Sequence, residues 1–249
     1  MPFGLHWCIA LPAVAPANLG EGGHPAKGDF LPPVPYPRRM WASSSIPFHK
    51  SPRLNTPLAR TSTIADIVLK KSTASGPLIF VHVDHIYTQR NEQHDELTEQ
   101  TRPIVLVEER QTLVYRQPAA FKKAAPQADI PATNAMDILP NSTLLSRYCG
   151  LTFNSHRIHY DHKYATQTEG YPDLVVQGPL MATLLMNFAQ ANRPGCLLKR
   201  FEFRGVAPAF VDQGLQLLIR DSSGESLQIR NEDGALVMFA SAIFSGSDC

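Results

Sequence analysis

The sequence predicts an α+β protein in which antiparallel sheets wrap around a central helix, with two halves in tandem. One observation is a helix signal over residues 178–192, followed by strand signals over residues 197–245. Another is an earlier strand-rich stretch, residues 46–115, which an Ala- and Pro-rich segment separates from that helix. A helix and a sheet bury each other's apolar faces, so each half would form a small layered unit.

The helix signal begins at Gly178 and Pro179. Proline suits the first helical position, because a helix start leaves that N–H unpaired in any case. Residues at helical spacing then form one largely apolar side. They are Leu180, Thr183, Leu184 and Phe188, with Leu185 and Ala191 flanking them. The sequence Arg193-Pro194-Gly195 ends the helix.

Four strand signals follow the helix and are divided by polar, glycine-containing turns. They cover residues 197–206, 215–220, 227–231 and 236–245. The earlier stretch carries two further signals, residues 59–69 and 77–88, which are rich in β-branched residues. Residues 1–116 are therefore predicted as the N-terminal half, 117–140 as a linker and 141–249 as the C-terminal half.

Composition excludes several classes of function. The net charge is +1 and 18% of residues are charged, which gives no basic field for nucleic acid or an anionic membrane surface. No stretch approaches the ~20 apolar residues of a membrane span, and residues 1–20 lack the basic leader of a secretory signal. We expect a cytoplasmic protein, with mitochondria as the alternative. The four cysteines lack a Cys-x-x-Cys spacing, so we expect reduced thiols.

A cluster of polar residues lies shortly before the helix. It consists of Asn154, His156, His159, Asp161 and His162. Imidazole titrates near neutral pH and suits acid–base chemistry. A helix that begins at Gly178 presents free backbone N–H groups and the positive end of its dipole, which suits a carbonyl or an oxyanion. The pattern therefore predicts a base and a hydrogen-bond donor that face one cleft.

The segments FNSHRIHYDHKYA and VVQGPLMATLL resemble the signature of the MaoC-like hydratases and dehydratases that act on acyl thioesters. The branch in question holds mesaconyl-CoA and itaconyl-CoA hydratases and type 2 hydroxyacyl-thioester dehydratases. Earlier segments are similar to the same branch: GGHPAKGDFLPPVPYPRRMWA, STIADIVLKKSTASGPLIFVHVDHIY and LVYR. The resemblance covers most of residues 22–244. It implies a tandem hot-dog fold with a degenerate N-terminal half that is shortened at its start.

The resemblance also assigns roles to residues. His159 matches the signature histidine and is the expected acid–base group. Asn154 stands where the wider family has an aspartate, so it is expected to orient water or bond His159, while His156 or Asp161 supplies a second titrating group. Gly178 is the expected oxyanion donor.

Substrate-binding residues are predicted around this centre. Gln177 replaces a histidine that relatives commonly carry, and Pro179 and Tyr160 accompany it in the signature. Arg38 or Arg39 is expected to meet phosphate groups of the pantetheine carrier. We predict a small branched or dicarboxylic enoyl thioester as substrate, without a metal or redox cofactor.

Other interpretations stay open at this point. One is a 3-hydroxyacyl-thioester dehydratase of fatty-acid or polyketide synthesis, which could have an acyl carrier protein as partner. Another is a hot-dog protein that only binds acyl thioesters. A zinc site of His156, His159 and His162 is a further rival, but their spacing would bring them together only on a helix. The expected assembly is a pseudo-dimeric monomer or a homodimer.

Overall fold

The computed structural model describes residues 2–71, 76–90, 103–128 and 131–246. Within these residues the chain forms one nine-stranded antiparallel sheet and two α-helices. The strands are β1 (Arg38–Pro47), β2 (Leu58–Lys70), β3 (Leu78–Gln89), β4 (Ile104–Arg116), β5 (Asn134–Ile138), β6 (Leu197–Gly205), β7 (Leu215–Ile219), β8 (Ser226–Asn231) and β9 (Leu236–Ser245). The helices are α1 (Ser142–Thr152) and α2 (Gly178–Ala191). The predicted α+β class is confirmed.

The strands lie in the order β2-β3-β4-β1-β6-β9-β8-β7-β5 across the sheet. The order β1-β4-β3-β2 on one side repeats as β6-β9-β8-β7 on the other, and β5 adds an edge strand to the second side. Strands β1 and β6 join the two sides in antiparallel register, from Ser43 opposite Arg204 to Pro47 opposite Arg200. The chain thereby builds one continuous sheet from two sets of strands with the same topology.

Helix α2 packs on the second side of the sheet and forms the centre of the main core. Leu185 and Met186 of this helix are fully buried, as are Phe201 of β6, Leu217 of β7 and Ile229 of β8. The predicted helix is therefore confirmed, and it ends one residue before Asn192. The four strand signals after the helix correspond to β6, β7, β8 and β9.

No α-helix covers the first side within the described residues. A short 3-10 turn, Leu5–Cys8, lies there instead. Its buried Trp7 ring packs edge-on against Trp41 of β1 at a centroid distance of 5.3 Å and against Phe203 of β6 at 6.3 Å. The strand signals over residues 59–69 and 77–88 correspond to β2 and β3. This turn covers less of β2 to β4 than an α-helix would, and a cavity lies on that side of the sheet.

Two elements depart from the sequence predictions. The predicted linker contains β5, which pairs with β7 from Asn134 opposite Ile219 to Ile138 opposite Leu215. A five-residue edge strand in a polar stretch gives little periodic signal, because one partner strand and little burial define it. Helix α1 was also not predicted, although Asn141 caps it by accepting a hydrogen bond from the Leu144 N–H at 2.9 Å.

Cysteine oxidation requires one correction. Cys8 and Cys149 are free thiols, as predicted. Cys196 is buried and disulfide-bonded, so the prediction of four reduced thiols is wrong. Sequence spacing identifies only local cysteine pairs, whereas a disulfide depends on the distance between cysteines in the folded chain.

The helices of the described ranges are also too short or too polar to cross a membrane.

Candidate active site

A cavity of about 1130 Å³ opens between the inner face of β1 to β4 and the beginning of α2. Segments that are distant in sequence meet in its wall. The wall includes His24, Arg39, Asn154, His156, His159, Gly178 and Pro179. The structure thus brings three residues of the polar cluster, Asn154, His156 and His159, into one cleft with the helix start.

His159 lies in a 3-10 turn, Arg157–His159, and is buried. Its Nδ1–H donates a hydrogen bond to the Val175 carbonyl oxygen at 2.7 Å, since a carbonyl can only accept. Burial lowers the pKa of His159 to about 4, against the opposing effect of that hydrogen bond. Among the described residues Nε2 has no hydrogen-bond partner. The neutral imidazole therefore keeps a free lone pair on Nε2.

His156 lies edge-on to His159, with a ring-centroid distance of 5.3 Å and an interplanar angle of 86°. Burial and the positive fields of His159 and Arg39 lower the pKa of His156 to about 2. The ring of His24 also lies close to that of His156, at a centroid distance of 4.0 Å. The Arg39 guanidinium donates from Nη2 to Nδ1 of His24. A row of one guanidinium and three neutral imidazoles therefore runs along the cavity wall.

Asn154 directs its side chain into this region. Its Oδ1 accepts a hydrogen bond from the His156 backbone N–H at 3.1 Å. The amide –NH₂ consequently remains available to a ligand or a water molecule in the cavity.

Gly178 is the first residue of α2, so its N–H has no acceptor within the helix. The nearest atom to an added Cβ would be the Trp41 carbonyl oxygen at 4.0 Å, and the backbone is outside the left-handed region. Neither conformation nor packing against the protein demands a glycine here. The space beside Gly178 belongs to the cavity, into which Pro179 also faces.

Two predicted site residues lie outside the cavity wall. Gln177 is fully buried, and its Nε2 donates to the Leu145 carbonyl at 2.9 Å and to Cys149 Sγ at 3.2 Å, which ties α1 to the start of α2. Asp161 forms an ion pair with Arg157 at 2.8 Å. Gln177, predicted to bind substrate, and Asp161, predicted as a possible second titrating group, thus contact other protein groups and do not line this cavity.

Tyr160 and His162 also point elsewhere. Tyr160 is 50% exposed and donates to the Ser155 carbonyl at 3.1 Å, outside the wall of this cavity. The His162 side chain is 65% exposed and pairs with Asp173 at 3.7 Å. The three signature histidines therefore do not meet at one point. His156 and His159 line the cavity, whereas the His162 side chain is exposed. Nowhere in the described ranges do three His, Cys, Asp or Glu side chains form a group suited to a metal ion.

His24 and Trp41 are cavity residues that no motif had singled out. Both lie within the GGHPAKGDFLPPVPYPRRMWA segment that carried part of the resemblance. The signal that points to His24 is a histidine within a Gly- and Pro-rich loop of that segment.

The sequence profile described as hydroxyacyl-thioester dehydratase type 2 matches residues 4–211. The chain belongs to this family. It is 40% identical over 248 residues to the Mesaconyl-C(4)-CoA hydratase of Chloroflexus aurantiacus, covering 97% of this chain and 82% of that protein. It is 29% identical over 247 residues to the mitochondrial hydroxyacyl-thioester dehydratase type 2 of Schizosaccharomyces pombe, covering 88% and 77%.

Solved structures agree on the fold of this dehydratase-family chain. A MaoC-like dehydratase aligns with a TM-score of 0.62 at 14% identity, covering 84% of this chain and 76% of the other. A MaoC-like dehydratase from Phytophthora capsici aligns with a TM-score of 0.57 at 10% identity, covering 96% and 72%. The predicted hot-dog fold and family are confirmed. The protein is an enzyme of the hydro-lyase class that hydrates or dehydrates acyl thioesters.

Replacing Gly178 with valine tests the donor at the start of α2. The branched side chain would project into the cavity and keep the thioester oxygen from reaching the Gly178 N–H, so we expect Gly178→Val to lower kcat/KM by about 10²–10³-fold, the usual effect of losing one oxyanion hydrogen bond. Gly150→Val is the matched control, because Gly150 lies in α1 and an added Cβ meets no atom within 4 Å. Hydration of an enoyl thioester, followed by absorbance, provides the measurement. Wild-type turnover by a folded Gly178→Val variant would contradict the assignment.

Proposed function

We propose that this protein adds water to, or removes it from, a small branched or dicarboxylic acyl group bound to CoA, with no metal or redox cofactor. The proposal rests on one observation: Nε2 of His159 and the N–H of Gly178, neither of which has a hydrogen-bond partner among the described residues, share a cavity. The substrate class is supported by the 40% identity to a mesaconyl-C(4)-CoA hydratase.

Hydration requires a base for water and a donor for the thioester oxygen. In the proposed mechanism, Nε2 of His159 takes a proton from water while the water oxygen bonds to the β-carbon of the enoyl thioester. The electrons of the double bond move onto the thioester oxygen, which accepts a hydrogen bond from Gly178. The enolate then takes the proton back from His159 at its α-carbon. The proton that His159 takes from water is delivered to the α-carbon, so a single histidine can act first as the base and then as the acid.

Two features of the site suit His159 to this role. The Val175 carbonyl fixes the tautomer and stabilises the imidazolium that forms during the reaction, because it accepts the Nδ1–H bond in both states. The lowered pKa keeps His159 in its basic form at neutral pH. We assign Asn154 the task of holding the attacking water, since this residue lines the cavity and its amide –NH₂ has no acceptor among the described residues. His156 supports the ring of His159.

The same atoms serve the reverse reaction, dehydration of a 3-hydroxyacyl thioester. The family description and the name of the fission-yeast relative assign dehydration to those proteins. An acyl carrier protein would then be the partner. The cytoplasmic location stays a prediction, with mitochondria as the alternative that the name of the fission-yeast relative suggests.

The first test removes the base. We expect His159→Ala to lower kcat by about 10²–10⁴-fold, the usual effect of losing one general acid–base group, with thioester binding nearly unchanged. His162→Ala is the matched control, since that histidine lies three residues away and is exposed. Steady-state hydration kinetics and a separate binding titration measure both quantities. Full activity in His159→Ala would exclude the proposed base.

A second test concerns pH. With the pKa of His159 lowered to about 4, the base form persists at neutral pH and is lost only as pH falls through that value. We therefore expect kcat/KM to fall near pH 4 rather than near the ordinary histidine value of about 6.5. Asn154→Asp places a carboxylate beside the histidines, favours their protonated forms and should move this fall to higher pH. Coinciding pH profiles of wild type and variant would remove Asn154 from the site.

A third test concerns metal. Exhaustive chelation should leave the hydration rate unchanged, because the proposed base and donor come from the protein alone. Loss of turnover that zinc restores would contradict the cofactor-free mechanism.

A further inference from the structure

Glu109 of β4 is a buried carboxyl group that joins separate parts of the cavity wall. Its Oε2 accepts a hydrogen bond from the Trp7 indole N–H at 2.9 Å, and its Oε1 accepts one from the Ser44 hydroxyl at 2.5 Å. The Ser44 oxygen in turn accepts from the Trp41 indole N–H at 2.8 Å. Glu109 and both tryptophans line the cavity. One carboxyl group therefore connects the N-terminal turn, β1 and β4.

The two tryptophans form the wall beside the beginning of α2. The Trp41 carbonyl oxygen lies 4.0 Å from the position that a Cβ would take on Gly178. The Trp7 ring packs edge-on against the Trp41 ring at a centroid distance of 5.3 Å. The turn that carries Trp7 follows Gly4, where an added Cβ would overlap Thr183 Oγ1 of α2. Displacement of either tryptophan would therefore change the space next to the proposed oxyanion donor.

The carboxyl group of Glu109 has no paired cation among the described residues. His6 Nε2 lies 3.8 Å from Oε2, but burial lowers the pKa of His6 to about 3, so this imidazole is neutral. Arg60 of β2 contributes a positive field without a hydrogen bond. A buried charge is unfavourable unless a partner compensates it, and burial accordingly raises the pKa of Glu109 to about 7.

The hydrogen bonds of Glu109 do not require a charge. In the neutral acid, Oε2 still accepts from Trp7, and the acid O–H donates to the Ser44 oxygen in place of the reverse bond. The uncharged form therefore keeps both contacts and avoids an uncompensated buried charge.

The other titratable groups around Glu109 keep one charge state between about pH 5 and pH 9. Burial lowers the pKa of His85 on β3 to about 4, so His85 is neutral like His6. Arg60 is a permanent cation. Three further groups have pKa values that burial raises, and they stay neutral: Cys8, Tyr87 and Tyr148. Glu109 is thus the group of this cluster that changes charge near neutral pH.

We propose that Glu109 is a positioning residue, whose uncharged carboxyl holds Trp7 and Trp41 beside the reaction centre and whose ionisation loosens this contact. A carboxylate without a paired cation gains stability by reaching water, and the adjoining cavity gives it access. Hydration of the carboxylate displaces the tryptophan N–H and the hydroxyl that covered it. The effect on catalysis rests on the proposed function, whereas the change in the cavity wall does not.

The first experiment follows wild-type fluorescence and kinetics from about pH 5 to pH 9. The chain has two tryptophans, and both indole N–H groups bond within this network. We expect their emission to shift with a midpoint near pH 7. With the same midpoint, kcat/KM for mesaconyl-C(4)-CoA should fall by roughly 10-fold, the usual effect of disturbing one buried hydrogen bond. This decline is separate from the loss near pH 4 that protonation of His159 produces.

Glu109→Gln fixes the uncharged state at almost constant shape. The amide oxygen accepts from Trp7 and the amide –NH₂ donates to Ser44, as the neutral acid does. We expect the variant to match the wild type near pH 5 and to keep its emission and kcat/KM up to about pH 9. At that pH it should therefore exceed the wild type. A residue that serves packing alone would not yield a variant that surpasses the wild type at high pH.

Thermal melting tests the same ionisation without catalysis. Because burial raises the pKa of Glu109 above its ordinary value of 4.5, the folded state retains a proton that the unfolded state releases. This group therefore lowers the stability of the wild type as pH rises from 4.5 to about 7. Glu109→Gln has no such ionisation, so its Tm relative to the wild type should rise by about 5 °C over this range.

Glu108→Gln is the matched control, because this neighbouring carboxyl on β4 is half-exposed and pairs with His49 at 2.7 Å. It should follow the wild type in emission and kinetics. Constant wild-type emission from about pH 5 to pH 9 would overturn the inference, even if Glu109→Gln failed to fold. A folded Glu109→Gln that shares the wild-type decline at high pH would also overturn it. Inactivity of the wild type on every enoyl thioester would reject the proposed function, while emission and melting would still decide the role of Glu109.

Discussion

The pairing of β1 with β6 is the constraint on which the site depends. It joins the two sets of strands into one sheet and places β1 beside the beginning of α2. The Trp41 carbonyl consequently lies 4.0 Å from the position of a Cβ on Gly178, and Arg39 of the same strand reaches the histidine row. Aromatic rings of Trp7, Trp41 and Phe203 fill the space at this junction. A hot-dog dimer forms a comparable junction between two chains, whereas here one chain supplies both sides.

Removal of water is the second physical factor, because it sets the protonation of the histidines. Desolvation is the largest cause of the lowered pKa at His24, His156 and His159. Three protonated imidazoles beside Arg39 would repel one another, and burial removes that conflict by keeping them neutral. Burial therefore leaves a free lone pair on the imidazole rings at neutral pH.

The first side of the sheet lacks an α-helix in the described part of the chain, and this has a structural consequence. Polar groups there face a cavity and must satisfy one another. Glu109 shows how this is done: Trp7 Nε1–H and the Ser44 hydroxyl donate to its carboxyl oxygens at 2.9 and 2.5 Å. Burial nevertheless raises the pKa of Glu109 to about 7. The cavity is thus bounded by a shallow, partly polar layer instead of a packed helix.

Much of the fold followed from local sequence. Apolar spacing and Pro179 determined α2, alternation and turn residues determined most strands, and the signature segments determined the family and the centre around His159. Tertiary structure decided which polar residues of one short segment face the cavity. Asn154 and His156 do, whereas Asp161 and His162 do not, because an irregular turn gives its side chains no fixed period. It also decided the contact of His24 with Arg39 and His156, and the lowered pKa of each histidine. Those properties depend on burial and on neighbours far apart in sequence, which no local pattern records.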